Sequence, residues 1–429
     1  MVRRWPFWLM IVLVAASILQ GCSTPVDPPQ RERVTLRFGY RQNIADYLTL
    51  AQEYQRVHPH VTIDLVPIEP FRSPGGLQVP DLIDQEEIDV LRWSTDYLTA
   101  EWGSEVLPLD EMMLADRTFP HDDIFMGAME ALESEGKQLG VPAGLDPLVA
   151  YCNEGHFAGA EQDLPGLGWT MEEFLASVVS VDRTGVEVAD PSFAYGFCSQ
   201  PESMDPIIIT YIMGGSLFDR LDAPTRVTLD LPANIEAMRL YADLRLRLGV
   251  MPDPRELGGG SRWGVFGLIA NGKCGVWLGE YQDRNGLLWG REWSGKAVML
   301  PLPRGDVPVD FVAMDGYYIL AQSRHSEEAW NWIRFLLDYE EAAGMLMPPR
   351  RSQVDSEGYA RRVGHQVAEV ARQLPDIIEV VGILEDPVVS EVVGLYLEAA
   401  AQVVTGNADA ETALREAQKT AQALFAAHQ

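Results

Sequence analysis

The chain has 429 residues, 47% of them apolar, with 63 Asp and Glu against 33 Lys and Arg and a formal net charge of −30. That length exceeds one ordinary core and fits two domains of roughly 150 to 200 residues each. So acidic a chain repels a phosphate backbone, which argues against nucleic acid as a partner and leaves the local charge of any ligand cleft open.

The first elements are processing signals. Arg3 and Arg4 precede an apolar run from Leu9 to Ile18, the pattern of a secretory leader over residues 1–21. The run is about half the roughly 20 residues that span a bilayer. Leu19-Gln20-Gly21-Cys22 then resembles the lipobox of bacterial lipoproteins, in which the cysteine becomes the diacylated first residue; a cleaved leader followed by an unrelated cysteine is the other reading. Two acyl chains suffice for stable anchoring at a bacterial cell membrane. Residues 22–33, with STPVDPPQRER after Cys22, read as a tether. Cys152, Cys198 and Cys274 remain, an odd and sparse set that reads as thiols rather than a disulfide framework, with Cys152–Cys198 the pair to consider.

Val34, Leu36, Phe38 and Tyr40 alternate with Thr35, Arg37 and Gly39, which predicts a strand. Ile44, Leu48 and Ala51 fit a helix, and Val61, Ile63 and Leu65 restart a strand, so the chain opens with a βαβ unit and a parallel sheet. Ligands of such sheets lie beyond the carboxyl ends of strands, which makes Tyr40, Arg41 and Gln42 candidate contacts. A second strand through Glu87–Arg92 delivers Trp93 and Asp96 to the same end, and Asp122 to Leu132 reads as a helix. The stretch 140–157 reads as a short strand, Leu148 to Tyr151, between turn-rich segments Pro142–Pro147 and Cys152–Gly159, which marks it as a candidate hinge. Thr170 and Glu173 form a capping box for a helix beside Trp169. Helices are then expected at Pro206–Met213 and Asn234–Leu248, and strands at Gly275–Leu278, Ala297–Leu300 and Tyr317–Ala321. Ser326 is expected to cap a helix buried through Trp330, Ile333 and Leu337, and the last third reads as helical.

Catalytic signatures are weak. The seven histidines are scattered, with no converging metal set and no cofactor motif. Gly267 and Gly272-Lys273-Cys274 depart from a phosphate loop, because Cys274 cannot replace the hydroxyl that ligates magnesium, and a helix end followed by a strand is expected there. Tyr40, Trp93, Trp169, Trp277 and Tyr317 fall in loops or strands, where a ring face beside a polar group suits a sugar.

The stretches VTLRFGY, HPHVTIDLVPI, GVPAGLDPLVAYCNEGHFAGA with GWTMEEFLASV, IIITYIMGGSLFD, IANGKCGVWLGE, VMLPLPRG and GYYILAQSRHSEEAWNWIRFLLDYEEAAGMLMPPRRSQV come in an order that resembles the extracellular solute-binding proteins of family 1, the sugar-type receptors of ABC importers. The resemblance covers about 34 to 424. It implies a two-lobe α/β fold of the type II periplasmic-binding-protein kind, with residues 34–145 and 297–338 in the first lobe and 146–296 and 339–429 in the second. It further implies a monomer with no enzymatic activity, no metal and no cofactor, whose cleft closes on a solute and delivers it to an ABC permease. The site residues it implies are Tyr40, Arg41, Gln42, Trp93, Asp96, Gly144, Asp146, Trp277, Glu280, Gly316 and Tyr317, to which Trp169 is added from its position behind the hinge. Where many members carry Tyr-Asn-Lys, this chain has Tyr151-Cys152-Asn153-Glu154, and Arg41 adds a cation suited to an acidic ligand group. A sugar or oligosaccharide is the leading ligand, with a sugar acid or phosphate-bearing polyol as the alternative. A ligand-sensing lipoprotein of the same fold and, more remotely, an extracellular hydrolase are the other functions considered.

Overall fold

The computed structural model describes residues 32–41, 45–68, 87–94, 105–134, 136–186, 190, 193–220, 224–257, 261–288, 291–305, 311–373, 379–380 and 387–427. The expected leader, Cys22 and the expected tether up to Arg31, together with Gln42 and Asp96, lie outside the described residues.

The period-2 pattern at the start forms β1 (Val34–Arg41), which pairs in parallel with β2 (Val61–Ile68) and β3 (Val90–Ser94). Helix α1 (Tyr47–Val57) makes the crossover and turns Tyr47, Leu50 and Tyr54 onto Leu36 and Phe38 of β1. Trp332 and Ile333 of α2 (Ser326–Leu337) fill the same core. The sheet is continued by β8 (Phe311–Ile319), antiparallel to β3, and then by β4 (Val141–Asn153). Beyond β4 lie β6 (Cys274–Glu280), antiparallel to it, and β5 (Tyr195–Cys198), parallel to β6. The path is therefore β2-β1-β3-β8-β4-β6-β5, with β7 (Ala297–Leu300) on the second half of β4 and β9 (Glu379–Val380) on β8.

The two lobes share β4. Residues 141–147 pair with β8, whereas Leu148–Cys152 pair with β6 and Ala150–Asn153 with β7. In the second lobe α3 (Met171–Val181), α4 (Asp205–Ile212), α5 (Pro232–Leu246), α6 (Pro387–Val404) and α7 (Ala410–Ala427) pack their apolar faces together. Phe174, Ile208, Met238, Tyr396 and Leu414 are among the buried residues there. Among the described residues no helix is long and apolar enough to cross a membrane.

Four sequence expectations change. The turn-rich reading of Pro142–Pro147 and the short strand Leu148–Tyr151 give way to one 13-residue strand. A proline in a strand leaves one hydrogen bond unmade, and both prolines stand where the ladder is interrupted. Asp315 faces Gly144 while Gly316 faces Pro142, so Ala143 is the extra residue of a bulge, and Pro147 is the last residue before the strand changes partner. Second, Cys198 and Cys274 are joined, whereas Cys152 is a free buried thiol that burial pushes up to about 12. Third, Ser326 is the first helical residue rather than the cap; His325 takes the cap position without a side-chain bond. Fourth, the expected helix Asp122–Leu132 is reduced to a 3-10 turn, His121–Asp123, and a short helix, Met126–Glu130. Between them Ile124 bridges Arg350, and the Phe125 amide donates to the Pro349 carbonyl. The capping box of α3 forms as expected, with Thr170 Oγ accepting the Glu173 amide at 3.2 Å.

The disulfide closes a sequence separation of 76 residues, and removing such a link typically costs about 2–4 kcal/mol. The double variant Cys198→Ala, Cys274→Ala is expected to unfold at lower denaturant, and reductant is expected to shift the wild type but not the variant. Coincident urea midpoints for the two proteins would refute a stabilising role.

Candidate functional site

The handover of β4 between partners gathers a group of polar side chains. Val312 stands opposite Pro147, and Glu280 opposite Leu148. Asp146, just before the handover, is 4% exposed. Its Oδ1 accepts the backbone N–H of Gln282 at 3.0 Å, and its Oδ2 accepts the Gln282 side-chain amide at 2.6 Å. The same amide nitrogen donates to Glu280 Oε2 at 2.7 Å. Glu280 ends β6, and the 3-10 turn that follows, Tyr281–Asn285, brings Asp283 Oδ2 to the Glu280 amide at 3.2 Å. Three carboxylates are thus gathered beside one glutamine. From the first lobe Arg41, at the end of β1, comes within 3.8 Å of Asp315 Oδ1, and its charge also acts on Asp146.

Beside the carboxylates lies an aromatic group. The Tyr151 and Trp277 rings stack with centroids 5.6 Å apart, and Trp293 meets them edge-on at 5.0 and 5.2 Å. The Tyr151 hydroxyl donates to the Glu280 carbonyl at 2.7 Å, fixing the end of β6. Tyr151 and Trp277 are buried, whereas Trp293 keeps partial exposure.

A second polar cluster lies on the first-lobe side of the handover. Arg92, fully buried on β3, donates Nε–H to Asp315 Oδ2 at 3.0 Å and Nη1–H to the Ala342 carbonyl at 2.6 Å. Nη2 reaches the Ala343 carbonyl at 3.1 Å, and Nη1 also bonds the Tyr47 hydroxyl, which lies 3.1 Å from that of Tyr317.

The expected site residues therefore separate by position. Arg41, Asp146 and Glu280 come together at the handover. Gly144 permits a close approach there: a Cβ on it would stand 2.8 Å from Leu346 Cβ and 3.2 Å from Arg92 Nη2. Gly316 adjoins the bulge, and Tyr317 is buried in the Arg92 cluster. Tyr40 packs on Phe38 and Tyr47 with partial exposure. Trp93 is 2% exposed in the core. Trp169 is 1% exposed, its indole N–H donating to the Pro301 carbonyl at 2.8 Å, so its ring fills the second-lobe core. Gln282, Asp283, Asp315 and Arg92 were not singled out from the sequence. For Arg92 and Asp315 a signal exists: each is a charge inside an apolar strand run, VLRWS and FVAMDGYYI, and a charge in a buried strand requires a partner. Among the described residues no group of three His, Cys, Asp or Glu is placed to hold a metal ion.

Crowding changes the acids. Burial, and then the Glu280 charge, push the Asp283 carboxyl up to about 7. Burial and Glu280 likewise raise Asp146 well above the usual carboxylate range, an effect only partly offset by the Gln282 amide and Arg41. A carboxyl that holds its proton more tightly when folded stabilises the fold below its unfolded pKa. That contribution is lost as pH rises through the folded value. For Asp283 the loss falls between about pH 4 and pH 7. Asp283→Asn keeps an acceptor for the Glu280 amide and is expected to melt higher than wild type at pH 8, with the gap closing towards pH 4. Melting curves that stay parallel across that range would count against a raised proton affinity at Asp283.

No protein-family model matches the chain. In fold it is similar to an ABC substrate-binding protein of Listeria monocytogenes in complex with cycloalternan, at 16% identity over 92% of this chain and 100% of that one, with a TM-score of 0.72. It is also similar to the GacH receptor of Streptomyces glaucescens, solved unliganded and with acarbose, at 18% identity over 92% and 98% of the two chains and a TM-score of 0.68. An ABC transporter solute-binding protein of Agrobacterium radiobacter in complex with ribitol matches at 18% identity over 92% and 99%, with a TM-score of 0.62. The chain thus has the two-lobe α/β fold of the solute-binding proteins of ABC importers, of the type II periplasmic-binding-protein architecture.

Proposed function

We propose that the chain is an extracytoplasmic receptor that captures a neutral polyhydroxyl solute, a sugar or polyol, between its lobes and delivers it to an ABC permease. In this reading Cys22 carries the lipid anchor, and the chain works by binding without catalysis. The observation that carries the proposal is the meeting of Arg41 and Asp315 from the first lobe with Asp146, Glu280 and Asp283 from the second, at the point where β4 passes between lobes. Carboxylates accept sugar hydroxyl protons in directional bonds, and a ring beside them packs against the C–H face. The disulfide adds support for an extracytoplasmic location, since such bonds persist in oxidising compartments.

Charge favours a neutral ligand over a sugar acid. Arg41 is the residue suited to an anion, yet it lies 3.8 Å from Asp315 and within the field of Asp146, and Arg92 is sealed in the core. An incoming carboxylate or phosphate would meet four acids and one already shared cation.

A thermal-shift panel tests this with maltotetraose and ribitol as neutral probes and galacturonate and glucose 6-phosphate as anionic ones. A ligand present at 100 times its Kd stabilises by about 2.7 kcal/mol, and a neutral probe is expected to give such a shift. Asp146→Ala is then expected to weaken that ligand about tenfold or more, on the order of 1.5–3 kcal/mol for a charge-assisted bond. Stabilisation by the anionic probes alone would overturn the neutral-ligand reading, and unchanged affinity in calorimetry would remove Asp146 from the site.

A further inference from the structure

We infer that Arg92 is a positioning residue for lobe closure: fully buried, it ties β8 to the 3-10 turn Glu340–Ala343, and through that turn to β4 where the strand changes partners. The inference rests on the receptor reading only in that the lobes move relative to one another.

β8 and the turn are tied to the same guanidinium. Asp315 lies on β8 at the bulge and receives Arg92 Nε–H. Ala342 and Ala343 belong to the 3-10 turn Glu340–Ala343, and their carbonyls take two further N–H groups. That turn leads to Met347, which exchanges two 2.8 Å backbone bonds with Leu145 of β4, two residues before the handover at Pro147. Gly144 then brings the β4 backbone against Leu346 and the guanidinium itself, at distances a side chain would not permit. The second oxygen of Asp315 lies 3.8 Å from Arg41, which is partly exposed, so the cluster adjoins the proposed binding residues.

Neutralisation alone does not explain this arrangement. Arg is almost never fully buried unless paired, and Asp315 supplies the pairing charge. Of the other bonds, one goes to the Tyr47 hydroxyl and two go to the turn that clamps β4. A planar fork of fixed N–H directions can serve Asp315, two successive carbonyls and the Tyr47 hydroxyl together; a lysine ammonium, with three donors on one atom, cannot. Loosening the fork frees the turn, and with it the angle at which β4 and β8 leave the first lobe.

The test reads lobe geometry without ligand. Spin labels at Leu114→Cys, on the exposed first-lobe helix Asp110–Ala115, and at Val179→Cys, on α3, report the cross-lobe distance by double electron–electron resonance. The chain carries Cys22→Ser; Cys152 is buried, and the other two cysteines are bonded. Arg92→Lys, which keeps the charge on Asp315, is expected to fold and to shift or broaden the distribution by about 2 Å or more, the scale of a domain rearrangement. Tyr47→Phe, which removes one contact of the fork, is expected to give a smaller change in the same direction. The double variant Arg92→Met, Asp315→Leu leaves no buried unpaired charge and serves if Arg92→Lys does not fold. Folded variants with lowered melting temperature but a wild-type distance distribution would overturn the inference and leave Arg92 a structural residue only. Failure of the receptor reading would show separately, as the absence of any thermal shift with sugars or polyols.

Discussion

The arrangement of polar groups depends on one strand changing partners partway along its length. Buried backbone N–H and C=O groups must be paired, and nearly all of β4 is buried. Its first half satisfies them on β8 and its second half on β6 and β7. Neither half can slip without turning its side chains to the wrong face. Any change in lobe angle is thereby concentrated near Asp146 and Pro147, where one set of partners ends and the next begins. The polar groups at this point come from β1, β4, β6 and β8 because those strands end or change partners here.

Two polar clusters flank that point and differ in kind. In the second lobe Asp146, Glu280 and Asp283 crowd together with no cation of their own lobe bonded to them among the described residues, and burial together with mutual repulsion raises the proton affinity of two of them. In the first lobe Arg92 and Asp315 are matched in charge, and Arg92 makes four hydrogen bonds. A buried ion pair is weak support for stability, since an apolar pair of similar volume often does as well. What an apolar pair lacks is direction, and it is the directed bonds to Ala342 and Ala343 that connect this cluster to β4. The matched cluster is therefore suited to holding geometry, and the crowded one to meeting hydroxyl donors.

The sequence made some of this legible and hid the rest for identifiable reasons. The βαβ opening, the capping box at Thr170 and the buried stripe of α2 follow from local periodicity, which survives any tertiary arrangement. The hinge strand was obscured because Pro142 and Pro147 are turn residues in isolation; only the bulge and the change of partner make them acceptable in a strand. Pairing of Cys198 with Cys274 was hidden because three cysteines allow three pairings, and only the adjacency of β5 and β6 selects one. Trp93 and Trp169 show a further limit: a position near a loop or strand end says nothing about which way the ring points, and both point inward.

Fold and ligand chemistry separate cleanly at this level of similarity. At 15–18% identity the shared strand order can persist, because each strand needs only apolar residues at period two and each helix an apolar stripe. The cleft is set by far fewer side chains. In the aromatic group Tyr151 and Trp277 are 1% and 4% exposed and are occupied with each other. Of the three rings, Trp293 alone retains appreciable solvent access, and it comes from the segment after β6 rather than from the sheet. A Cβ on Gly286, whose φ is +76°, would come within 2.4 Å of the Trp293 indole nitrogen. The ring's position thus depends on a glycine that both turns the chain and leaves room for it. That dependence is local to the connection, so the accessible aromatic surface can vary while β4, β6 and the handover between them stay in place.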